Sequence, residues 1–221
     1  MNTNPFRIKP VVTYSLLAIM AVMFLVMEFA GGSQDTSVLV FFGAKFNPLI
    51  AMGQYWRLIT PMFLHIGFLH LVMNGVAIYF LGQDLEDVYG HFRFLLIFLL
   101  SGLMGNIFSF AFNNAISAGA STAVFGLFST IIAMAQADPD NSYLQAVARS
   151  YWILIIINIV FNLFSQGVDL AGHLGGFFGG YFVATALTHP VRKWRIGHGV
   201  AGVVLAVLIF LYGLVRAGYT F

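Results

Sequence analysis

Seven long apolar runs, separated by short breaks that hold charged residues, glycine or proline, constrain this chain more than any other feature. About 20 apolar residues in a helix span the hydrocarbon core of a bilayer. A soluble surface cannot cover these runs, because only 8% of the 221 residues are Asp, Glu, Lys or Arg and 60% are hydrophobic. An ordinary soluble domain has about 25% charged residues. The sequence therefore predicts an all-α, polytopic membrane helical bundle.

The runs predict a six-helix core and a seventh, C-terminal transmembrane helix in one membrane-embedded domain, residues 1–221. We expect the core at about 11–190 and the extra helix at about 199–215. The second and fifth spans are short for a perpendicular crossing, so we expect shielding by neighbours or a locally thin bilayer. The predicted spans are Val11–Ala30, Gly67–Gly82, Phe94–Ala115, Ser117–Ala137, Ser150–Phe164, Val168–Thr188 and Gly199–Val215.

Basic residues distinguish the two sides of the predicted bundle. With a cytoplasmic N-terminus, seven basic residues lie inside and three, Lys45, Arg57 and Arg216, lie outside, as the positive-inside rule favours. The connection 31–61 is then outside, where we expect Trp56 and Arg57 at the headgroup level. We expect a bacterial plasma membrane, because the chain is compact and has no evident organelle-targeting extension.

Four polar residues stand out inside the predicted spans, namely His70, Asn74, Ser121 and His173. Polar side chains in a bilayer are costly and mark functional sites by default. These four belong to the second, fourth and sixth spans, which all enter the membrane from the same side. Since each lies in the early turns of its helix, the sequence predicts one shared site in one leaflet, open to the outer side.

The surroundings of Ser121 and His173 favour a close approach of their helices. Small residues flank Ser121, and Gly172, Gly176 and Gly180 recur every four residues around His173, a spacing typical of close helix packing in membranes. A histidine takes a serine proton when the two atoms are about 2.6 to 3.2 Å apart. The pattern predicts Ser121 as nucleophile and His173 as general base.

His70 and Asn74 are four residues apart and share one helix face. Both side chains donate hydrogen bonds, and acyl transfer requires donors aimed at the developing oxyanion. We expect them to bind the oxyanion together with the backbone N–H of Ser121. Asp169, one turn before His173, is interpreted as an interfacial or helix-capping residue rather than a third catalytic group.

At these residues the sequence resembles a known family, the rhomboid intramembrane proteases, over about residues 56–190. Each motif alone is weak, but their order along the spans is specific. The motifs are Trp56-Arg57, His65 with His70-x-x-x-Asn74, Gly119-x-Ser121, and Gly172-His173-x-x-Gly176.

The resemblance implies a serine endopeptidase with a Ser121–His173 dyad and an oxyanion site of His70, Asn74 and the Ser121 amide. It implies that Phe125 packs against the His173 ring, that Glu86 beyond the second span is structural, and that residues 164–168 form a mobile cap. Supporting roles are implied for Gly119, Phe125, Gly176, Trp56 and Arg57.

By the same resemblance, the substrates are single-span membrane proteins, cut near the membrane surface after a small residue in a locally unstable helix. The expected partners are these substrates and the lipid bilayer. We expect no cofactor and no nucleic acid. We also expect no metal, because His65 and His70 have no accompanying carboxylate and the H-E-x-x-H pattern is absent.

Two positions depart from the common pattern of the family. Thr122 stands where Gly usually follows the nucleophile, and Gly172 stands where many members have Ala before the histidine. A β-branched Thr122 is expected to narrow the substrate cleft or alter the loop conformation. Gly172 only lowers bulk, and we expect it to be tolerated.

Two other functions remain open at this point. A catalytically silent rhomboid-like protein would bind transmembrane clients without cutting them, but such relatives typically lack the nucleophile or the base. A transporter or channel is favoured by internal repeats or by acids in the middle of the bilayer. The sequence has no convincing repeat, and most Asp and Glu lie in loops or near span ends.

Overall fold

The computed structural model describes residues 8–164, 168–188 and 192–218, with the side chains of 161–164, 188 and 192–195 excepted. These residues fold into α-helices and two short 3₁₀ turns, Tyr55–Leu58 and Thr60–Phe63. No strand occurs within these ranges beyond an isolated bridge between Lys45 and Ser117. The α-helices are α1 (Val11–Phe29), α2 (Thr36–Phe42), α3 (Asn47–Ala51), α4 (Phe68–Tyr89), α5 (His91–Phe112), α6 (Ser121–Ala137), α7 (Ser142–Phe164), α8 (Leu170–Thr188) and α9 (Arg192–Arg216).

Six of the described helices, α1, α4, α5, α7, α8 and α9, are long and apolar enough to cross a membrane. The apolar α6 has 17 residues, a length of about 25 Å at the rise of an α-helix. The prediction of an all-α, polytopic membrane bundle is confirmed. Helix α9 begins at Arg192, earlier than the predicted extra helix.

The second and fifth spans are not short, and the prediction that they would be was wrong. Helix α4 has 22 residues because its polar end, Gln83 to Asp87, stays helical. Helix α7 has 23 residues because Asn141, whose Oδ1 accepts from Leu144 N at 3.1 Å, starts it early. The short helix is α6, since Ser117–Ala120 belong to the preceding loop.

Helices α5, α6 and α8 form the centre of the bundle, and each of them packs against the other two. Around this centre, α4 packs on α1, α5 and α6, α7 packs mainly on α6, and α9 packs on α8 and α5. The first residues of α4, α6 and α8 point to one side of the bundle because the spans alternate in direction. The central packing therefore gathers the starts of these helices around a shared space.

Glu86 closes the opposite end of the bundle. Its carboxylate is fully buried and accepts hydrogen bonds from Val12 N and Thr13 N at 2.8 Å and from Thr13 Oγ1 at 2.7 Å. It thereby satisfies amides at the start of α1, which has no side-chain cap of its own. Glu86 lies inside α4 rather than beyond the second span, because that helix continues to Tyr89.

Replacing Glu86 with Ala is expected to lower the free energy of unfolding by about 3 kcal/mol, because charged hydrogen bonds are lost and buried donors stay unpaired. Glu86→Gln, which keeps an acceptor, should cost less. Reversible unfolding in mixed micelles measures the difference. Gln83→Ala is the control, since Gln83 donates only to Tyr79 O of its own helix; equal stability of all variants would contradict the capping role.

Candidate active site

Ser121 and His173 lie side by side at the starts of two neighbouring helices. Ser121 is the first residue of α6, and His173 lies in the first turn of α8. The distance between Ser121 Oγ and His173 Nε2 is 2.9 Å. The imidazole is 7% exposed, whereas the serine is half-buried and accessible. This geometry permits transfer of the serine proton to the histidine.

Glycines on α8 bring the two helices into backbone contact. A Cβ on Gly176 would lie 1.9 Å from Thr122 O, and a Cβ on Gly180 would lie 2.2 Å from Gly126 O. Any other residue at these positions would force α8 away from α6. The predicted glycine face therefore packs against the helix that carries Ser121.

The ring of Phe125 stacks on the His173 imidazole. The ring centroids are 4.3 Å apart and the planes differ by 11°. Phe125 is one turn after Ser121 on α6 and is itself buried. Because the stack restricts rotation of the imidazole, it keeps Nε2 directed at the serine.

His70 and Asn74 lie one turn apart near the start of α4. His70 Nδ1 accepts from Ile66 N at 3.4 Å, which assigns the ring hydrogen to Nε2 and leaves that nitrogen as a donor. One N–H of Asn74 donates to His70 O at 2.9 Å, so the amide has a second hydrogen for another acceptor.

Gly119 lets the loop before α6 pass directly over His70. Its φ is +139°, and a Cβ there would lie 2.5 Å from His70 Cε1. The loop is also fixed by the bond from Gly119 N to Pro61 O at 2.9 Å. The conformation that only glycine adopts readily thus brings the Ser121 amide and the His70 ring together.

His65 packs behind the proposed oxyanion site. Its ring meets that of His70 edge to face, with centroids 5.3 Å apart. Burial, and to a lesser extent the neighbouring His70, lowers the pKa of His65 to about 3 against an opposing contribution from the Phe63 backbone. His65 is therefore neutral at ordinary pH and adds no charge beside His70.

Trp56 and Arg57 occupy different environments. Trp56 is 54% exposed, as an interfacial residue requires. Arg57 is buried and donates from Nη1 to Val40 O at 2.7 Å and to Ala44 O at 3.1 Å. Whereas Trp56 is open to an interface, the Arg57 guanidinium is bonded inside the protein to carbonyls of the first connection.

Asp169 precedes α8 and caps it. Its Oδ1 accepts from Gly172 N at 3.0 Å, and its Oδ2 accepts from Ser109 Oγ. Burial raises the pKa of Asp169, but hydrogen bonds led by that of Ser109 outweigh burial, so the pKa lies below its usual value. The interpretation as a capping residue fits this geometry, in which the carboxylate bonds the start of α8.

A buried cation that sequence reasoning did not anticipate lies next to this cap. Lys45 was predicted to be one of the three outer basic residues. Its side chain is fully buried, and its Nζ donates to Asn113 O at 2.6 Å. The available signal was its position as a lone cation in an apolar stretch of the first connection. Burial itself was not readable, because the partners of Lys45 come from distant parts of the chain.

The two departures from the family pattern touch each other. Thr122 is 3% exposed, and a Cβ on Gly172 would lie 2.9 Å from Asp169 Oδ2 and 3.0 Å from Thr122 Cγ2. The space of an alanine methyl at position 172 is thus bordered by the methyl of Thr122. The Thr122 side chain packs between α5 and α8, at the positions of Gly105 and Gly172.

Two further expectations are the mobile cap at residues 164–168 and the absence of a metal. The implied cap at 164–168 includes residues 165–167, which lie outside the described ranges. Within those ranges, no three His, Asp or Glu side chains are grouped as metal ligands.

The comparison with known proteins assigns the chain to a family. The family model described as Rhomboid domain matches residues 52–190, which include the motifs from Trp56 to Gly176. The chain belongs to the rhomboid family. It is an integral, multi-pass membrane protein of that family, since its apolar helices are long enough to span a bilayer.

Individual relatives extend the similarity beyond the rhomboid domain. The chain is 42% identical to Rhomboid protease GluP of Bacillus subtilis (strain 168) over 93% of its own length and 41% of GluP. It is 32% identical to Putative rhomboid protease YdcA of the same organism over 80% of this chain and 88% of that protein. It is 29% identical to Rhomboid protease AarA of Providencia stuartii over 95% and 88%. The chain spans about two fifths of the length of GluP.

The contact between Thr122 and Gly172 predicts a dependence between the two positions. Gly172→Ala is expected to slow labelling of Ser121 by a fluorophosphonate several-fold, because its methyl meets Thr122 Cγ2 and pushes the start of α8 outward. In a Thr122→Ala background, the same substitution should cost less than in the wild type, and the cost that remains is expected from the contact with Asp169 Oδ2.

The control for this pair is Gly197→Ala, because a Cβ there meets no atom within 4 Å. Labelling rates for the four members of the cycle give the coupling directly. If Gly172→Ala costs as much in the Thr122→Ala background as in the wild type, the two positions are independent.

Proposed function

We propose that this chain is an intramembrane serine endopeptidase that hydrolyses peptide bonds in or near transmembrane segments of membrane proteins, with a Ser121–His173 dyad. The observation that supports this most is the distance of 2.9 Å between Ser121 Oγ and His173 Nε2. A hydroxyl beside a neutral imidazole is a nucleophile with its general base. Relatives named as rhomboid proteases add support.

In the first step, Ser121 Oγ bonds to the carbonyl carbon of the substrate while its proton passes to His173 Nε2. The carbonyl π electrons move to oxygen and form an oxyanion. The imidazolium then donates its proton to the leaving nitrogen as the C–N bond breaks. Stacking on Phe125 keeps the imidazole in one plane through both transfers.

In the second step, water attacks the acyl-enzyme ester. His173 takes a proton from this water and returns it to Ser121 Oγ when the ester C–O bond breaks. The product is a carboxylic acid that ionises in water. The half-buried serine at the polar start of α6 gives water access to the ester.

Three donors stabilise the oxyanion in this proposal, namely Ser121 N–H, His70 Nε2–H and Asn74 Nδ2–H. The first amides of a helix have no partner within it, and the start of α6 carries the positive end of the helix dipole. His70 retains a free Nε2 because Nδ1 accepts from Ile66 N. Donors held in place before the reaction stabilise the transition state more than the substrate.

The proposed substrates are single-span membrane proteins, and the proposed location is a bacterial plasma membrane with the N-terminus inside and the site open to the outer side. Two of the three basic residues on the site's side, Lys45 and Arg57, are buried and bonded to backbone carbonyls. The orientation is supported by the sequence count instead, since seven basic residues lie on the opposite side and three on this one.

Cleavage of a generic single-span substrate by the purified protein in liposomes tests the proposal. Ser121→Ala and His173→Ala are each expected to lower kcat by about a thousandfold or more, because they remove the nucleophile or its base. His70→Ala and Asn74→Ala should lower kcat by about 10- to 100-fold with a smaller change in KM.

Ser129→Ala is the matched control, because Ser129 is a buried serine of α6 that bonds only Gly126 O of its own helix. Cleavage that survives both Ser121→Ala and His173→Ala would refute the proposed dyad. A wild type that neither cuts a substrate panel nor labels with a fluorophosphonate would favour a client-binding rhomboid. Solute flux through the same liposomes would favour a channel or transporter.

The orientation can be tested by cysteine labelling, because the chain has no native cysteine. Met52→Cys, on the site's side and 70% exposed, is expected to react with a membrane-impermeant maleimide in intact cells. Asp140→Cys, in the exposed connection between α6 and α7, should react only after lysis. The reverse pattern would invert the proposed orientation.

A further inference from the structure

Lys45 is a fully buried cation on the site's side of the bundle, and the proposed reaction does not use it. It lies between α2 and α3 and is 0% exposed. Its ammonium donates to Asn113 O at 2.6 Å and to Ser109 O at 3.4 Å, both at the end of α5. A buried charge is costly unless hydrogen bonds and an opposite charge compensate it.

The opposite charge belongs to Asp169, the cap of α8. Its carboxylate binds Gly172 N, and its carbonyl accepts from His173 N at 3.0 Å. The first turn of α8, which carries the proposed general base, is therefore bonded to Asp169 through both backbone and side chain. Any displacement of Asp169 moves His173 with it.

Three residues lie between Lys45 and Asp169, and each of them interacts with both. Ser109 and Asn113 present their carbonyls to the Lys45 ammonium. Ser117 pairs with the Lys45 backbone in both directions, at 2.9 and 3.1 Å. On the other side, the Ser109 hydroxyl donates to the Asp169 carboxylate, and the side chains of Asn113 and Ser117 stabilise that carboxylate and lower its pKa. The two charges thus share one set of partners across the end of α5 and the loop before Ser121.

We infer that Lys45 is a positioning residue for His173, which acts through Ser109, Asn113 and Ser117 on the Asp169 cap of α8. This inference rests on the proposed function and extends it to the first connection. The ammonium holds the carbonyls of Ser109 and Asn113 in place, so the Ser109 hydroxyl stays directed at Asp169 and the Asn113 side chain stays beside that carboxylate. Because proton transfer tolerates little displacement, this network maintains the distance between Ser121 and His173.

The charge of Lys45 titrates in an accessible range. Burial lowers its pKa to about 8, and the charge of Asp169 opposes this shift. Arg57, which donates to the adjacent Ala44 carbonyl, stays charged throughout that pH range. The groups at the end of α5 that face the ammonium are the uncharged carbonyls of Ser109 and Asn113. The ammonium is thus the group of this network that loses its charge as the pH rises through about 8.

A double-mutant cycle in the full chain tests the inference. Lys45→Met keeps the aliphatic stem and removes the charge, and Asp169→Asn keeps a capping side chain and removes the charge. Each single substitution is expected to lower kcat about tenfold with little change in KM. In the Asp169→Asn background, Lys45→Met should cost less than about twofold, because the charge through which Lys45 acts is gone.

The pH profile gives a readout that loss of packing does not reproduce. The kcat of the wild type should fall as the pH rises through about 8, and Lys45→Met, which has no ammonium to lose, should lack this fall. Arg216→Met is the matched control, because Arg216 also donates to the end of α5, at 2.6 Å from Ala111 O, but is exposed. Its kcat and pH profile should match the wild type within about twofold.

Equal costs of Lys45→Met in both backgrounds, or an unchanged alkaline limb, would overturn the inference. If Lys45→Met fails to fold, the double variant decides, since it removes both charges. A double variant that also fails to fold would make Lys45 structural and independent of Asp169. A wild type that neither cleaves nor labels would contradict the proposed function, whereas an active wild type matched by Lys45→Met would contradict only this inference.

Discussion

The backbone contact between α6 and α8 is the constraint on which the rest of the site depends. A side chain as small as alanine at Gly176 would overlap Thr122 O, so the helices meet only because α8 presents glycine. That contact sets the distance between Ser121 and His173, and Phe125 then fixes the plane of the imidazole. In a bilayer, where lipid tails are as apolar as leucine, such close packing takes the place of a hydrophobic driving force between helices.

The first connection is held by buried cations rather than by an apolar core alone. Arg57 binds the carbonyls of Val40 and Ala44, and Lys45 binds those of Ser109 and Asn113. Carbonyls that are buried without a partner are costly. Ala44 O and Asn113 O lie outside the helices, so each cation satisfies one carbonyl of irregular backbone and ties the connection to the structure beside the helix starts.

The fold and the proposed dyad were largely readable from the sequence, because apolar length and glycine spacing are local signals. Ser121 and His173 were paired from the common side on which their spans start, the small residues around Ser121, and the repeat of Gly172, Gly176 and Gly180. The start of α6 was predicted four residues early, because the small residues from Ser117 fit a helix while the bridge to Lys45 holds them in a loop. The buried state of Lys45 was not readable, since its partners lie more than 60 residues away.

The cap that Glu86 provides for α1 also orders the events of assembly. Val12 and Thr13 are synthesised 74 and 73 residues before the carboxylate that binds their amides. A nascent α1 thus enters the membrane with its first amides still hydrated, and they lose that water only when α4 has been inserted beside them. Docking of α1 therefore follows insertion of α4. A chain whose insertion stalls before α4 holds α1 as an independent anchor rather than as part of the bundle.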